Sequence, residues 1–461
     1  MVAVMTATKH FEPADSSSQS ASPYTLVVGL GASGLAAARY LSDRGESVLA
    51  IDSRAAPPAL EALQSESPEI AVELETLDSK WLKGASRIVL SPGLPVDLPL
   101  IADARQRGIE IAGELELFAQ AASAPVLAVT GSNGKSTVAS LVAVLLEAQG
   151  FKAPAGGNLG PPALELLKHD PVDAYVVEIS SFQLETTRSL KPLAAALLNI
   201  SPDHIDRHGS LEHYAALKGS LLATAGRAIA NWDDPLVREI VRLHANAIPF
   251  SVKEPLCHAW SVIEHRGERW LAHELVPLIR SSELNLTGEI GEANVLAALA
   301  LAQSLGGELD LAFGALRRFR GLNHRLQFVL ERQGVSYVDD SKGTNVGATV
   351  AAITGAHAPI ILIAGGQSKG ADFGILAEAV EGRVKAAILI GEAASQLERA
   401  FEGRTQTVMA PSMSAAVAAA ARIAQPGDRV MLSPACASQD MYADYADRGE
   451  AFAAAVRELP Q

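Results

Sequence analysis

A glycine-rich turn that follows an apolar strand and ends in lysine is the feature that most constrains the fold of this chain. The stretch reads APVLAVTGSNGKST from Ala124. Its two glycines allow backbone N–H groups to turn inward, and Lys135 can reach the β- and γ-phosphates of a nucleotide. The Ser136 hydroxyl can bind Mg²⁺, and a helix beginning near Lys135 adds the positive end of its dipole. The pattern predicts an ATP site formed by Gly131, Asn133, Gly134, Lys135, Ser136 and Thr137.

The loop is shorter than the usual G-x-x-x-x-G-K-[ST] phosphate loop, because Val129 stands where that pattern places its first glycine. It has the form G-x-x-G-K-S instead. An ordinary strand-to-helix turn is the alternative interpretation. Lysine, serine and threonine directly after two glycines favour the phosphate loop over that alternative.

Composition is typical of a multidomain enzyme. The 461 residues with 48% apolar content are enough for three domains of about 150 residues each. The net charge of −14 argues against a nucleic-acid partner, which needs a basic surface. Cys257 and Cys436 are the only cysteines and indicate no disulfide framework, and no segment has the pattern of a membrane span or a secretion signal. We therefore expect a cytoplasmic protein with no membrane partner, preceded by a disordered tail over residues 1–22.

The first block has the pattern of a βαβ unit that binds a diphosphate. YTLVVGLGASGLAAARYLSDRGESVLAID shows a strand, a glycine-rich turn, an amphipathic helix and a second strand. Gly29, Gly31 and Gly34 form G-x-G-x-x-G. Asp52 lies about 20 residues further on, where the dinucleotide fingerprint expects an acid that binds ribose. Taken alone this pattern suggests NAD, although the same turn holds any diphosphate.

Two further strands are expected before the first domain ends near residue 112. RIVLSPGLP places a strand before a turn at Ser91, and GIEIAGELELF is interpreted as the last strand of the domain.

The second block has the pattern of a parallel sheet. DAYVVEISSFQLE and AAALLNISPDHIDRHG contain continuous apolar runs, which are typical of strands buried on both faces. Ligands of such sheets lie beyond the carboxyl ends of the strands, so Glu178 and His204 should lie near the phosphate loop. The block closes with helices in GEANVLAALALAQSLGG and LAFGALRRF.

A third block begins near Gly321 and again alternates strands with helices. Its strands are expected in GVSYVDD, PIILIAGG, AAILIGE and DRVMLSPA. The predicted fold class is α/β with three consecutive domains. They are a Rossmann-like N-terminal domain over 23–112, a central phosphate-loop ATPase-like parallel-sheet domain over 113–320, and a Rossmann-like C-terminal domain over 321–461.

Several ordered motifs together resemble those of the Mur ligases of peptidoglycan synthesis. They are TGSNGKST, GGNLG, EISSFQLE, DHIDRH, HYAALK, GLNHR, DDSKGTN, GGQSKGADF and SPACAS. The resemblance runs from Tyr24 to the C-terminus. It implies that the carboxylate of UDP-N-acetylmuramoyl-L-alanine attacks the γ-phosphoryl group of ATP, and that the amine of glutamate then displaces phosphate from the acyl phosphate. The resemblance implies D-glutamate as the added amino acid, with L-glutamate as the alternative.

In this family the first domain holds the uridine diphosphate of the sugar nucleotide, so the resemblance replaces NAD by UDP. The alternative for Gly31 and Gly34 is that they only let helix and strand pack closely. The implied UDP-sugar contacts are Gly31, Ala32, Ser33, Asp52, Ser53, Arg54, Ser91, Asn158 and His204.

The resemblance also implies two Mg²⁺ ions held by Ser136, Glu178, His204 and Lys218. Two anions meet when a carboxylate attacks a phosphoryl group, so this point needs dense positive charge. The equivalent of Lys218 is carbamylated in the family, and such chemistry needs a neutral amine, which desolvation or nearby cations favour. A solvated lysine on the outer face of SLEHYAALKGSLL is the alternative. The implied catalytic residues are Lys135, His204 and Lys218.

The third domain resembles a lid that brings ATP and the amino acid to the centre. A helix N-cap is the alternative for Thr344. Cys436 is interpreted as a buried filler, because SPACAS contains no histidine. A monomer is expected. The implied ATP contacts are Asn294, Arg325, Asp340 and Lys342, and the implied glutamate contacts are Thr344, Lys369, Ser438, Gln439 and Tyr445.

The chain departs from the family pattern at two places. The usual GxHNxxN is GEIGEAN here, so Ile290 and Gly291 replace His-Asn and only Asn294 remains. This affects the expected recognition of adenine. In the glutamate loop, Gln439 and Tyr445 stand where an apolar residue and phenylalanine are common.

Two other function classes remain open on the residues. An NAD-binding oxidoreductase would explain GLGASG and Asp52 but leaves the Lys135 loop without a role. A regulatory ATP-binding module would not need Glu178, His204 and Lys218.

Overall fold

The computed structural model describes residues 23–459 except positions 170, 243, 287, 357 and 369. Within this part the chain forms three sheets of five, nine and six strands in sequence order, which confirms the predicted α/β class. The predicted tail over 1–22 and the glutamate contact predicted for Lys369 lie outside the described residues. Across the described ranges, no helix is both long and apolar enough to cross a lipid bilayer.

The N-terminal sheet is parallel, in the order β3-β2-β1-β4-β5. Val27 packs into one core, and its neighbours Leu26 and Val28 pack into another on the opposite face. Burial on both faces explains why these strands are apolar throughout. The strands are β1 (Tyr24–Val28), β2 (Val48–Ile51), β3 (Ala71–Glu73), β4 (Ala85–Leu90) and β5 (Glu110–Ala112), and the helices are α1 (Ala32–Asp43), α2 (Leu60–Glu66) and α3 (Pro99–Gln106), with a 3₁₀ turn at Ser79–Leu82.

The segment GELELF is a helix, so its interpretation as part of a strand was wrong beyond Ala112. Helix α4 runs over Glu114–Ala121 and contacts both the N-terminal and the central domain. Glu114 and Glu116 are buried, and Oε1 of Glu114 accepts the backbone N–H of Leu164 at 2.6 Å. Glu114 and Glu116 are therefore buried acceptors for backbone groups of the central domain.

The central sheet has the order β14-β13-β12-β11-β10-β9-β6-β8-β7. It is parallel from β7 to β12, and two antiparallel strands, β13 and β14, extend it at one edge. The sequence did not predict this antiparallel edge. The strands are β6 (Val126–Thr130), β7 (Ala155–Gly157), β8 (Tyr175–Glu178), β9 (Ala194–Leu197), β10 (Ala228–Asn231), β11 (Ala247–Ser251), β12 (Trp260–His265), β13 (Glu268–His273) and β14 (Val276–Arg280).

Helices cover both faces of the central sheet. The predicted helices in GEANVLAALALAQSLGG and LAFGALRRF are confirmed as α11 and α12, which pack on α5. The helices are α5 (Lys135–Ala148), α6 (Ala163–Leu166), α7 (Ser181–Leu184), α8 (Ile205–His208), α9 (Leu211–Thr224), α10 (Pro235–Val241), α11 (Gly288–Gln303) and α12 (Phe313–Arg318), with 3₁₀ turns at Leu167–His169, Ser281–Glu283 and Leu309–Ala312.

The C-terminal sheet has the order β15-β16-β20-β17-β18-β19, and only β15 is antiparallel to its neighbour. The four strands predicted from its apolar runs are all present. The strands are β15 (Gln327–Arg332), β16 (Val335–Asp339), β17 (Ile360–Gly365), β18 (Val384–Ile390), β19 (Gln406–Met409) and β20 (Arg429–Leu432), and the helices are α13 (Val346–Thr354), α14 (Gly374–Val380), α15 (Ala394–Phe401), α16 (Met413–Ile423) and α17 (Tyr445–Arg457).

Candidate active site

The phosphate loop follows β6, which lies between two parallel neighbours. Val129 of β6 is paired with Glu178 at the end of β8, and Thr130 is paired with Leu197 at the end of β9. The carboxyl ends of parallel strands share one edge of the sheet. The fold therefore brings Glu178 and the segment that carries His204 to the phosphate loop.

Two glycines give the phosphate loop its shape. Gly131 and Gly134 have φ values of 147° and 84°, in the region that favours glycine. A Cβ on Gly134 would lie 2.5 Å from Oδ1 of Asn294, so a larger residue here would displace that side chain. Lys135 begins α5, and its Nζ donates to the carbonyl oxygens of Gly131 and Ser132 at 2.9 and 2.8 Å. The ammonium group is therefore held over the loop, within reach of a phosphate bound there.

Lys218 on α9 is buried, with a relative exposure of 1%. Its Nζ donates to the carbonyl oxygen of Gly131 at 2.9 Å and lies 4.6 Å from the centre of the Tyr214 ring. Burial and then the neighbouring charge of Lys135 lower the pKa of Lys218 well below its usual range. The alternative of a solvated surface lysine is therefore wrong. The environment favours the neutral amine that carbamylation requires.

Glu178 has one buried carboxylate oxygen with no hydrogen-bond partner in the described part of the chain. This atom is Oε2, whereas Oε1 accepts from Nδ2 of Asn158 at 2.6 Å. No group of three His, Cys, Asp or Glu side chains is placed to hold a metal ion among the residues that the structure describes. Mg²⁺ is commonly bound by one or two protein oxygens together with phosphates and water. The buried oxygen of Glu178 and the hydroxyl of Ser136 on the adjacent loop fit a Mg²⁺ that accompanies a nucleotide.

His204 directly precedes α8 and has an unusual backbone conformation. Its φ of 52° lies in the left-handed region, which non-glycine residues rarely adopt. Its ring contacts Phe182 edge-on with 4.7 Å between centroids, and Nε2 lies 3.6 Å from Oδ1 of Asp203. Backbone positions of this kind are concentrated at functional sites.

The C-terminal domain reaches the phosphate loop through Arg325, whose Nη2 donates to Oγ of Ser136 at 2.9 Å. Burial lowers the pKa of the Arg325 guanidinium, while Glu178 and Asp340 act in the opposite direction. The structure therefore brings this predicted ATP contact directly to the predicted ATP loop.

Lys342 and Asp340 lie on the same side of the cleft. Burial and then the charge of Arg325 lower the pKa of Lys342 to about 8, and its Nζ lies 3.6 Å from the centre of the Tyr445 ring. Burial raises the pKa of Asp340 to about 7, although the hydroxyl of Ser433 donates to its Oδ2 at 2.7 Å.

Four basic side chains thus converge at this point with depressed pKa values: Lys135, Lys218, Arg325 and Lys342. In each case burial is the largest cause, because charged groups lose hydration when they are buried. A bound polyanion would offset the free-energy cost of removing these positive charges from water. The arrangement is chemically suited to binding a triphosphate and to stabilising charge on a phosphoryl group in transfer.

A cleft of about 150 Å³ lies between the central and C-terminal domains. Gly291, in the altered adenine motif, would place a Cβ 2.4 Å from the carbonyl oxygen of Leu286, so glycine permits close packing of α11 at this point. The predicted ATP contacts that line the cleft are Asn133, Gly134, Thr137, Asn294, Arg325, Asp340 and Lys342, together with Ile290 and Gly291.

Asp52 at the end of β2 holds the glycine-rich turn of the N-terminal domain. Its Oδ2 accepts the backbone N–H of Leu30 at 2.7 Å, and the Arg54 guanidinium donates to both of its oxygens. Hydrogen bonding from Arg54 is the largest cause that lowers the pKa of Asp52, to about 2. The carboxylate is therefore ionised and already committed to the loop and to Arg54, whose side chain is half-exposed beside it.

The remaining predicted UDP-sugar residues lie on separate segments: Gly31, Ala32 and Ser33 at the start of α1, Ser53 and Arg54 after β2, Ser91 after β4, and Asn158 beside Glu178 in the central domain. A Cβ on Gly34 would lie 1.9 Å from the carbonyl oxygen of Gly29, so Gly34 is required for helix-to-strand packing. Gly31 is different, because only Oγ of Ser91, at 4.0 Å, lies near its Cβ position. Ala32, Ser53, Arg54 and Asn158 are exposed, whereas Ser33 and Ser91 are half-buried.

The predicted glutamate contacts fall on three segments of the C-terminal domain. The N-cap alternative for Thr344 is wrong, because the cap of α13 is Asn345, whose side chain accepts the N–H of Ala348 at 2.8 Å. Ser438 is buried, Gln439 is exposed and Tyr445 is half-buried. Cys436 is buried in a hydrophobic core, as predicted.

Arg207 connects the His204 segment to the N-terminal domain. Its guanidinium donates to the carbonyl oxygen of Leu94 at 2.8 Å, pairs with Glu185, and lies over the Phe182 ring. The same guanidinium thus touches the loop after Ser91 and the aromatic ring that packs on His204.

Three family models cover most of the chain. The "Mur ligase MurD-like, N-terminal domain" matches residues 24–113, the "Mur ligase middle domain" matches 129–302, and the "Mur ligase, glutamate ligase domain" matches 324–436. The chain belongs to the Mur ligase family. The resemblance inferred from its motifs is confirmed.

Curated relatives of this Mur ligase match nearly its full length. It is 45% identical over 437 residues to the UDP-N-acetylmuramoylalanine--D-glutamate ligase of Nitrosococcus oceani. The matched region covers 94% of this chain and 96% of that relative. It is 42% identical over 443 residues to the enzyme of the same name from Pseudomonas aeruginosa, with coverage of 95% and 98%.

Solved structures share the fold of this Mur ligase at low sequence identity. The UDP-N-acetylmuramate-alanine ligase of Thermotoga maritima has a TM-score of 0.60 at 17% identity and covers 94% of this chain and 99% of its own. A MurF ligase of Thermotoga maritima, solved in complex with ADP, has a TM-score of 0.56 at 18% identity, with coverage of 82% and 90%. These likenesses show the three-domain fold.

Sequence reasoning missed several residues of this Mur ligase site. The hydroxyl of Tyr214 lies 3.1 Å from Oγ of Ser132, and Asp203 and Asn345 meet across the domain interface. Tyr214 and Lys218 are four residues apart in HYAALK, so helical periodicity could have placed them on one face. Nothing in the sequence pairs Asp203 with Asn345, because they belong to different domains.

Proposed function

We propose that this chain is an ATP-dependent amide ligase that joins D-glutamate to UDP-N-acetylmuramoyl-L-alanine during peptidoglycan precursor synthesis. It acts in the cytoplasm as a monomer. The observation that carries the proposal is the convergence of four basic side chains with depressed pKa values on a phosphate loop, in a member of the Mur ligase family. Relatives with this activity in their names match almost the whole chain and support the choice of substrates.

The first step brings two anions together. The carboxylate of the nucleotide-linked alanine attacks the γ-phosphorus of ATP, a new P–O bond forms, and the bond to ADP breaks. Lys135 and Arg325 are placed to stabilise the charge on the transferred phosphoryl oxygens, since both lie at the phosphate loop.

The second step forms the amide bond. The neutral amine of glutamate attacks the acyl carbon, phosphate leaves with the electrons of the C–O bond, and the nitrogen loses a proton. The C-terminal domain provides the binding site for glutamate, with contacts from Thr344, Lys369, Ser438, Gln439 and Tyr445. Lys342 lies against the Tyr445 ring and also lines the ATP cleft.

Two Mg²⁺ ions that accompany ATP would be held by Ser136, Glu178, His204 and the carbamate of Lys218. When bound, they neutralise phosphate charge and orient the reacting oxygens. The unpaired, buried Oε2 of Glu178 and the low pKa of Lys218 support this ligand set. The carbamate forms when the neutral Nζ attacks carbon dioxide and loses a proton.

The N-terminal domain binds the uridine diphosphate of the acceptor. The open space next to Gly31 at the start of α1 supports a diphosphate site there. Ser53 and Arg54 are exposed after β2 and are therefore accessible to the uridine of a bound sugar nucleotide. The NAD-binding oxidoreductase is not supported, because it leaves the phosphate loop and its cations unused.

An end-point assay tests this function. ADP release should require both the sugar nucleotide and D-glutamate, and the product should contain a new amide bond. L-glutamate should be tested in parallel, because the departures from the family pattern at Gln439 and Tyr445 suggest it as the alternative substrate. Release of ADP that is independent of the sugar nucleotide, or efficient ligation of L-glutamate in place of D-glutamate, would contradict the proposal.

A further inference from the structure

The first turn of α13 in the C-terminal domain lies against residues 201–203 of the central domain, which we call the seat. Nδ2 of Asn345 donates to Oδ2 of Asp203 at 3.0 Å and lies 3.3 Å from Oδ1 of Asn133 in the phosphate loop. Oδ1 of the same side chain accepts the backbone N–H of Ala348 at 2.8 Å and caps the helix. One side chain therefore both begins α13 and ties it to the opposite domain.

Gly347 leaves no room for a side chain at this contact. A Cβ on Gly347 would lie 2.6 Å from Oγ and 2.8 Å from Cβ of Ser201. Gly347 is helical, so its backbone conformation does not itself require glycine. Close packing between the two domains requires glycine at this position, and the requirement applies only while the domains are in contact.

The seat is continuous with the phosphate loop. The backbone N–H of Ser201 donates to Oγ of Ser132 at 2.9 Å, and that hydroxyl donates to the carbonyl oxygen of Ser201 at 3.0 Å. His204 follows the seat directly in sequence. The contact therefore joins the C-terminal domain to two parts of the site that handle phosphate.

We propose that Asn345 and Gly347 form an interdomain latch that positions the C-terminal domain for attack by glutamate. This inference rests on the ligase function proposed above. The latch residues act through the seat and are positioning residues. When the latch is closed, Nη2 of Arg325 lies 2.9 Å from Oγ of Ser136. Thr344, which precedes Asn345 in the chain, is then held at the site. The carboxylate of Asp203 also lies at the positive end of α13.

Gly347→Ala should weaken domain closure without weakening the fold. Alanine is preferred to glycine within a helix, so the Tm of the variant should not fall. In the closed arrangement the new Cβ meets Ser201, and we expect kcat/KM for glutamate to fall about tenfold or more as the closed population falls. Affinity for the sugar nucleotide should not change, because another domain binds it. Small-angle X-ray scattering with an ATP analogue and sugar nucleotide should show less contraction than in the wild type.

A compensating change and a matched control separate the latch from other effects. Ser201→Gly in the Gly347→Ala background removes both atoms that the new Cβ meets, so it should restore much of the lost kcat/KM. Gly374→Ala is the control, because Gly374, like Gly347, lies in the first turn of a helix of the same domain. The nearest atoms to its added Cβ belong to Asp372, at 3.3 Å and beyond, so this variant should behave as the wild type.

A second variant tests the polar half of the latch. Asn345→Asp keeps an oxygen that can cap α13 but sets a second carboxylate against Asp203. We expect the same pattern, a lower kcat/KM for glutamate with unchanged affinity for the sugar nucleotide. Adding Asp203→Asn restores one donor and one acceptor across the interface and should recover part of the loss.

Three results would overturn the latch. They are wild-type kcat/KM and contraction in Gly347→Ala, a loss that Ser201→Gly leaves unrepaired, and a loss accompanied by a lower Tm. Failure of the wild-type protein to ligate glutamate would instead contradict the proposed function. In that case the scattering comparison still tests the latch, because it measures closure without turnover.

Discussion

The Nζ atom of Lys218 lies 2.9 Å from the carbonyl oxygen of Gly131, so a buried lysine of α9 touches the first glycine of the phosphate loop. A cation in that position would compete with Lys135 for the same oxygen, which also accepts from the Nζ of Lys135 at 2.9 Å. A neutral amine that becomes an anionic carbamate resolves this conflict, because it converts repulsion between two ammonium groups into attraction.

We expect Lys218→Ala to lose ligase activity and to regain part of it in high concentrations of acetate or formate. A short carboxylate can occupy the vacated space and supply the anionic oxygen that the carbamate would provide. Lys218→Arg keeps the positive charge and should stay inactive. Initial rates with and without the added acids measure the effect, and an active arginine variant would show that the carbamate is not needed.

Lys135→Ala should abolish turnover and leave binding of the sugar nucleotide nearly intact. The lysine faces phosphate at the phosphate loop, whereas the N-terminal domain holds UDP. Loss of a γ-phosphate contact of this kind costs about two to three powers of ten in rate. Ligation rates and calorimetric titration with the sugar nucleotide should be measured on the same preparation. Near wild-type ligation by this variant would contradict the assignment of the loop.

Gly31 and Gly34 should respond differently to substitution. Gly31→Leu fills the open space at the start of α1, so it should fold normally and lose affinity for the sugar nucleotide. Gly34→Ala should lower the Tm, because its Cβ would lie 1.9 Å from the carbonyl oxygen of Gly29. Titration of the wild type with NAD is the specificity control. Tight NAD binding that Gly31→Leu removes would argue for a dinucleotide site instead.

Ligands should drive the C-terminal domain towards the central domain. Gly321, which has a φ of 82°, begins this domain and is the expected hinge, and Arg325 follows it closely. Substrates need an open route before the cations meet over ATP. The radius of gyration from small-angle scattering should fall when an ATP analogue and the sugar nucleotide are added together. The same radius in every ligand state would count against the hinge.

Glu114→Gln should stabilise the protein at pH 8 and have little effect at pH 4. Burial raises the pKa of Glu114 to about 7, with the charge of Glu165 acting in the same direction. Because the folded-state pKa lies above the unfolded value, the favourable contribution of the protonated carboxyl is present in acid and is lost as pH rises towards 7. We expect a gain of about 3 kcal/mol in unfolding free energy at pH 8. Urea unfolding at both pH values measures it, with the exposed Glu61→Gln as control.

The fold and the centre of the site followed from local patterns. Continuous apolar strands predicted parallel sheets, in which the carboxyl ends of the strands share one edge. The sequence alone therefore placed Glu178 beside the phosphate loop. The glycines and lysine of that loop form one continuous segment. Such features are encoded within a few residues and need no knowledge of distant contacts.

What could not be predicted depends on packing between distant segments and on single-residue choices at helix ends. The residues from Leu211 to Thr224 mix polar and apolar side chains on every face, so the burial of Lys218 appears only when α9 is packed. The last strand predicted in GIEIAGELELF ends at Ala112, and the rest of this segment is a helix whose acids accept backbone groups of the central domain. Asn345 rather than Thr344 caps α13, a choice of one position that sequence spacing does not determine.

The cluster of one buried and three half-buried cations at the phosphate loop affects the stability of the protein as well as its chemistry. Folding lowers the pKa values of four side chains, which are Lys135, Lys218, Arg325 and Lys342. Their charged forms are better hydrated in the unfolded chain, and this difference lowers the free energy of unfolding. Any polyanion that binds only the folded form shifts this balance by mass action. The fraction of molecules that is unfolded, and hence exposed to proteases, should therefore rise when cellular ATP falls.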